Sequence, residues 1–215
     1  MTTSAPTTKR RRGRPPAGSS SPAETRQAII QTGVVILTEQ GFAATGIDKV
    51  LKQARVPKGS FYHYFASKEA FILEVVDAYG VYFARKLDRH FSNTDLSPLM
   101  RLAAFVDDAI AGMKRHAYER GCLIGNLGQE VSIISPALRE RVEHVLQDWE
   151  ARLADCLEQA VVAGELAAGC DCRAEASYFW TGWEGAVMRA RLQRDTALMA
   201  LFGQRFIQHL PTGSN

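Results

Sequence analysis

The chain has 215 residues, 46% hydrophobic and 23% charged, so it carries enough apolar side chain for a substantial core and is not disordered by composition. Its formal charge is +3, yet Lys9, Arg10, Arg11, Arg12 and Arg14 all precede Pro15; the remainder carries a net −2, and the basic character belongs to an arm. There is no run of about 18 apolar residues and no apolar stretch behind the N-terminal charges, which argues against a membrane span or secretory signal and for a cytoplasmic protein without a membrane partner.

Residues 1–20 mix Thr, Ser, Pro, Gly and basic residues without periodic apolar positions, so they read as a disordered basic arm that cannot offset its ordering entropy. Order is expected from Ser21-Pro22-Ala23-Glu24, where a cap, a first-turn proline and a capping-box carboxylate coincide. Ile30, Val34 and Leu37 continue at helical spacing to Gly41, a left-handed terminator. A short helix over Ile47 to Gln53 puts Ile47, Val50 and Leu51 on one face, and Pro57 opens a third helix. From the cap Ser67 a long helix runs to about His90, with Phe71, Val75, Ala78, Tyr82 and Leu87 near one side.

Ser97-Pro98 and Ser135-Pro136 mark two further long helices, with a shorter helical stretch near Leu123 to Ile133 between them. In the second long helix, Leu138, Val142, Val145, Trp149, Leu153, Cys156 and Ala160 keep the 3.6-residue period, and Gly164 ends it. A last pair spans about Arg173 to Gln193 and Thr196 to Leu210. No alternation of period two and no internal repeat occurs, so the expected fold is all-α: a three-helix unit over residues 21–66 and a larger helical unit over 67–215. Cys122, Cys156, Cys170 and Cys172 do not form a disulfide framework and are expected as thiols. Cys170-Asp171-Cys172 lacks a histidine at zinc-finger spacing and reads as a solvated loop, so neither metal nor cofactor is expected.

The segment from Pro57 to Tyr64 can be the second helix of a helix-turn-helix. Phe61 and Phe65, four apart, anchor it inward and leave Lys58, Ser60, Tyr62 and His63 for double-stranded DNA, while Gly59 lets the backbone approach closely. Thr45-Gly46-Ile47 and the run from Val56 to Glu69 resemble the TetR family of bacterial regulators. That resemblance implies groove contacts from Lys58, Gly59, Ser60, Tyr62 and His63, and phosphate contacts near Thr45, Tyr64 and Lys68. In the arm, Arg12-Gly13-Arg14-Pro15 resembles an AT-hook core whose Arg12 and Arg14 fit a narrow minor groove; a nonspecific basic tail is the other reading.

In the larger unit, Tyr118, Cys122, Asn126, Gln129, Trp183 and Glu184 mix aromatic and polar groups, a composition that suits either core packing or a small-molecule cavity. Gly121 to Glu130, Trp183 to Ala186 and Arg189 to Arg191 are similar to an acrylate-responsive, electrophile-sensing branch of the same family. The resemblance implies a repressor released by a small effector such as acrylate or its coenzyme A thioester. Asn126 and Gln129 would orient the carbonyl, Trp183 would cover the apolar part, and Cys122 would bind beside them. Cys122 near a helix start can have its thiolate stabilised by amide dipoles, or be a plain buried thiol. Phe179, Trp183, Val187, Leu198, Leu201, Phe202 and Phe206, with Gly182, Gly185 and Ala186, resemble the helices through which the family forms homodimers; a core within the single chain is the other reading. A pseudo-palindromic operator would follow, with the long helix from Ser67 as the mechanical link. A thiol enzyme built on Cys122 and a sequence-tolerant DNA-binding protein are the competing readings; the enzyme lacks a recognisable base at motif spacing.

Overall fold

Serine and proline punctuate the chain where its helices begin. In the computed structural model, which describes residues 21–131 and 135–212, Ser21 Oγ accepts from the Glu24 amide at 3.2 Å and the Glu24 carboxylate accepts from the Ser21 amide at 2.6 Å. This capping box opens α1 (Pro22–Gln40), which ends at Gly41 with φ +75°. The ψ of −176° there makes an extended exit rather than the left-handed helical cap expected. Arg12 and Arg14 lie outside the described residues.

α2 (Ile47–Gln53) buries Val50 and Leu51. The expected third helix divides into a 3-10 turn over Lys58–Ser60 and a single α turn, α3 (Phe61–Tyr64). Gly59 and Ser60 are poor helix formers, and the Ser60 amide closes back on the Pro57 carbonyl at 3.0 Å. α4 (Lys68–Phe91) starts where Ser67 Oγ accepts from the Ala70 amide at 3.0 Å. α1 presses closely on it, since a Cβ at Gly33 would lie 2.6 Å from Phe71 Cζ, and an Arg26–Glu74 ion pair closes the edge.

α5 (Pro98–Arg115), α6 (Leu123–Val131), α7 (Pro136–Val162), α8 (Cys172–Gln193) and α9 (Ala197–His209) complete an all-helical fold, with no strand among the described residues. Ser135 and Asp171 cap α7 and α8 through the amides of Leu138 and Ala174. Cys170 and Asp171 lie in the expected connection between helices, whereas Cys172 opens α8 and is buried.

One aromatic core joins α4, α5, α7 and α8: Phe83 to Trp149 at 4.3 Å, Trp149 to Trp180 at 5.1 Å, and Phe105 of α5 to Trp180 at 5.8 Å, with Phe179 stacked on Trp183 at 5.5 Å between ring centroids. Burying such a ring contributes on the order of 1.5–3 kcal/mol. Tyr82, expected inside, is exposed; beyond Val75 the inward row steps by four to Tyr79 and Phe83. Phe179, Trp183, Val187 and Phe206, assigned above to a subunit interface, are likewise buried within the single chain, because the aromatic core needs them.

Candidate nucleic-acid interface and sensor cavity

Phe61, Phe65 and Phe71 are buried within 5.0 to 5.6 Å of one another, and this cluster fixes which side of the α3 turn faces out. Tyr62, 72% exposed, and His63 project from the opposite side, beside Lys58. Lys58 Nζ lies 2.6 Å from the Asp48 carboxylate, an exposed pair that water and salt weaken enough for a phosphate or base to compete. A Cβ at Gly59 would meet nothing within 4 Å, so the outer surface of the turn is open to close approach. Ser60 is half-buried at the rim.

The residues placed near phosphates divide. Thr45 is buried and donates its hydroxyl to the Gly41 carbonyl at 2.6 Å, so its hydroxyl builds the turn and is not free for a phosphate. Tyr64 packs half-buried beside His63. Lys68 stands over the Phe42 ring at 4.4 Å, with its ammonium at the edge of the same face.

Two cavities meet at the start of α6. The inner one, of about 370 Å³, is lined by Tyr79, Phe83, Met113, Trp183 and Met199, with Lys86, Arg115, His116 and Arg120 around it. The outer one, of about 870 Å³, is lined by Asn126, Gln129, Tyr118 and Arg191, together with Met188 and Leu192 of α8. Gly121, Cys122, Glu184 and Val187 form part of both walls. Three of the four effector candidates, Cys122, Asn126 and Gln129, line the outer space together, and Trp183 lines the inner one with Cys122. Asn126 also spends its amide, donating to the Thr38 carbonyl at 3.3 Å.

The electrostatics of the shared wall favour the buried-thiol reading of Cys122 over the stabilised thiolate. The Gly125 amide does point at Cys122 Sγ, at 3.5 Å, as a helix start allows. Burial outweighs that dipole, and the adjacent Glu184 carboxyl adds to it, so the thiol is pushed well above its usual range. Glu184 is itself raised to about 7 by burial, with the Cys122 contact opposing the shift. Its side chain keeps some surface toward the cavities, but its carboxyl is enclosed by protein. Tyr79 beside them is raised by burial first and then by the Cys122 and Glu184 charges. At the mouth, burial and the Arg120 and Arg115 charges hold His116 below the ordinary imidazole range, a sign of a positive local field.

Two residues matter here that the sequence did not single out as site residues. Glu184 was visible only as one polar residue among aromatics. Glu130 accepts from the amides of Phe42 and Ala43, at 3.1 and 2.7 Å, across the boundary between the two units. Only its place at the end of the Gly121–Glu130 motif hinted at a role. No helix among the described residues is long and apolar enough to cross a membrane, and no cluster of metal-binding side chains occurs among them.

Residues 29–75 match the family model for bacterial regulatory proteins of the tetR family, and residues 98–206 match the tetracyclin repressor-like C-terminal domain. The chain is 45% identical over 204 residues to the transcriptional regulator AcuR of Cereibacter sphaeroides, covering 95% of this chain and 93% of that protein. It is 28% identical over 171 residues to the transcriptional repressor NemR of Escherichia coli, covering 80% and 86%. Among solved structures, a regulatory protein TetR from Rhodobacter sphaeroides superposes with a TM-score of 0.83 at 45% identity, covering 86% of this chain and 98% of that one.

Proposed function

The chain belongs to the TetR family of bacterial transcriptional regulators, and from that premise we propose that it is a repressor that binds a pseudo-palindromic operator as a homodimer and leaves it when a small effector occupies the α6 wall. The observation that carries this reading is the outward face of the 3-10 turn and α3. Gly59, Tyr62 and His63 face outward, with Lys58 exposed beside Asp48, on a turn that Phe61 and Phe65 hold from behind. An arm with Arg12 and Arg14 would add minor-groove or phosphate contacts and steepen the salt dependence.

The inner cavity favours an effector with an apolar or unsaturated body, because aromatic and aliphatic side chains line it; of the cations around it, Lys86 and Arg120 are paired with Asp108 and Glu39, and Arg115 is the group to meet an acidic end. Acrylate and its coenzyme A thioester are the candidates; the inner space is roomy for a three-carbon acid but too small to enclose a whole coenzyme A thioester. Burial and the adjacent Glu184 carboxyl hold the Cys122 thiol well above its usual range, which favours a sensor over a thiol enzyme and reversible binding over an adduct.

Selection from a randomised duplex pool tests the proposal. We expect enrichment of an inverted repeat protected in two symmetric halves, and release on adding acrylate or its thioester to both the native protein and Cys122→Ser. Failure to enrich any sequence would refute the regulator reading. Failure of both compounds to release an enriched duplex would refute only the effector assignment, and loss of release in Cys122→Ser with a mass adduct in the native protein would establish thiol chemistry instead.

A further inference from the structure

α4 carries an exposed stripe that leads away from the inner cavity. Ala78, Tyr82, Arg85 and Arg89 follow one another at steps of four, three and four, so they share one face of the helix. With Gln27 and Gln31 of α1 they line a groove of about 680 Å³ between the two helices. Gln31, Ala78 and Tyr82 also line the inner cavity, so the two spaces meet at these three residues. Tyr82, 58% exposed, stands at the meeting point, its ring centroid 6.2 Å from that of the buried Tyr79. By helical rise, the stripe from Ala78 to Arg89 is about 16 Å long.

The groove is electropositive because the carboxylates of α4 beside it are engaged elsewhere. Asp77 pairs with Arg141 and Asp88 with Arg152, both of α7. Neither Arg85 nor Arg89 forms an ion pair among the described residues, and both are exposed. Two guanidinium forks one helical turn apart suit the oxygens of a phosphate or diphosphate. The outer cavity at α6 is the other way out of the inner space, and it suits an anion less. Glu39, Glu119 and Glu184 line it against Arg191 and Arg194, and Arg191 already donates to the Glu39 carbonyl.

The geometry points to a second subsite: the α1–α4 groove takes the phosphorylated tail of a thioester whose short acyl end sits in the inner cavity, with Arg85 and Arg89 on the phosphates and Tyr82 beside the connecting arm. This rests on the effector reading above and narrows it to the larger of the two candidates. A molecule too long for the inner space must leave it, and the α4 side offers cations without partners at the exit. The free acid has no tail to place there and meets only Arg115 at the cavity edge. The groove therefore selects the thioester over the acid, and because its arginines are exposed, that selectivity weakens with added salt.

Titration calorimetry at fixed salt tests this with four probes: acrylyl-coenzyme A, the acrylyl thioester of N-acetylcysteamine, which lacks the phosphates, acrylate, and free coenzyme A. The native protein is compared with Arg85→Gln combined with Arg89→Gln, two changes at exposed positions. We expect the native protein to bind acrylyl-coenzyme A at least about tenfold more tightly than any of the other three. The arginine variant should lose that advantage, bind the truncated thioester as before, and keep its melting temperature and its affinity for the selected duplex. Equal affinity of the native protein for the two thioesters would overturn the subsite, as would undiminished binding of acrylyl-coenzyme A by the variant. Free coenzyme A bound as tightly as its thioester would also overturn it, since the inner cavity would then hold no acyl end. Release of the duplex by acrylate or the truncated thioester, with nothing gained from the tail, defeats the subsite and leaves the effector reading standing. If no acrylyl compound binds a protein that holds its duplex, the effector reading fails and the subsite with it.

Discussion

Glu184 brings a carboxyl into a space shared with a thiol and a phenol, and burial works against the charged form of all three. A carboxyl raised from 4.5 to about 7 makes the folded chain bind a proton more tightly than the unfolded one. Its contribution to stability is therefore complete below about pH 4.5 and is lost as pH rises through about 7. Relative to Glu184→Gln, the native protein should lose up to ~3 kcal/mol of unfolding free energy between pH 4.5 and 8. Denaturant titrations at a series of pH values check this, and parallel pH curves for the two proteins would contradict it. At this scale the sequence was informative about position and silent about environment. Cys122 does stand at a helix start, but the carboxyl that opposes its ionisation comes from α8, and no local spacing announces that approach.

At the scale of elements, the sequence revealed most of what it could. Ser21, Ser67, Ser135 and their first-turn partners mark helix starts because a cap is a local interaction, decided within four residues. Which face of a helix meets which neighbour is decided elsewhere. Along α8 the apolar positions divide into two rows, and only tertiary packing says that Phe179, Trp183 and Val187 face inward. The other row holds Tyr178, Thr181, Gly185, Met188 and Leu192 at alternating steps of three and four, with Tyr178 64% and Leu192 72% exposed. Gly185 has no atom within 4 Å of a built Cβ, which leaves room for a second helix to approach. On the homodimer reading this row, with the exposed Leu201 of α9, is the subunit contact. Met188→Asp combined with Leu192→Asp should give a folded monomer in sedimentation, with operator affinity lowered at least tenfold. An unchanged dimer would move the interface elsewhere.

Over the whole molecule, the N-terminal helices pack on the larger C-terminal bundle through α1 against α4, within one continuous hydrophobic core. The division expected near residue 66 rests on the helix cap at Ser67 and on the recognition segment that precedes it. The cavities were not legible in the sequence, because Tyr79, Met113, Cys122, Trp183 and Met199 come from five separate stretches of chain, and their convergence depends on how long helices cross. The central claim is that the outward face of α3 reads DNA sequence, and it places the burden on Tyr62, which is exposed and contributes little to the core. The most direct measurement is the affinity of the native protein and Tyr62→Ala for a selected duplex and a scrambled one at the same salt concentration. We expect the native protein to prefer the selected duplex by at least about a thousandfold. Tyr62→Ala should lose tenfold or more on that duplex, little on the scrambled one, and nothing in melting temperature. Equal affinity of the native protein for both duplexes, or an undiminished preference in Tyr62→Ala, would contradict the claim.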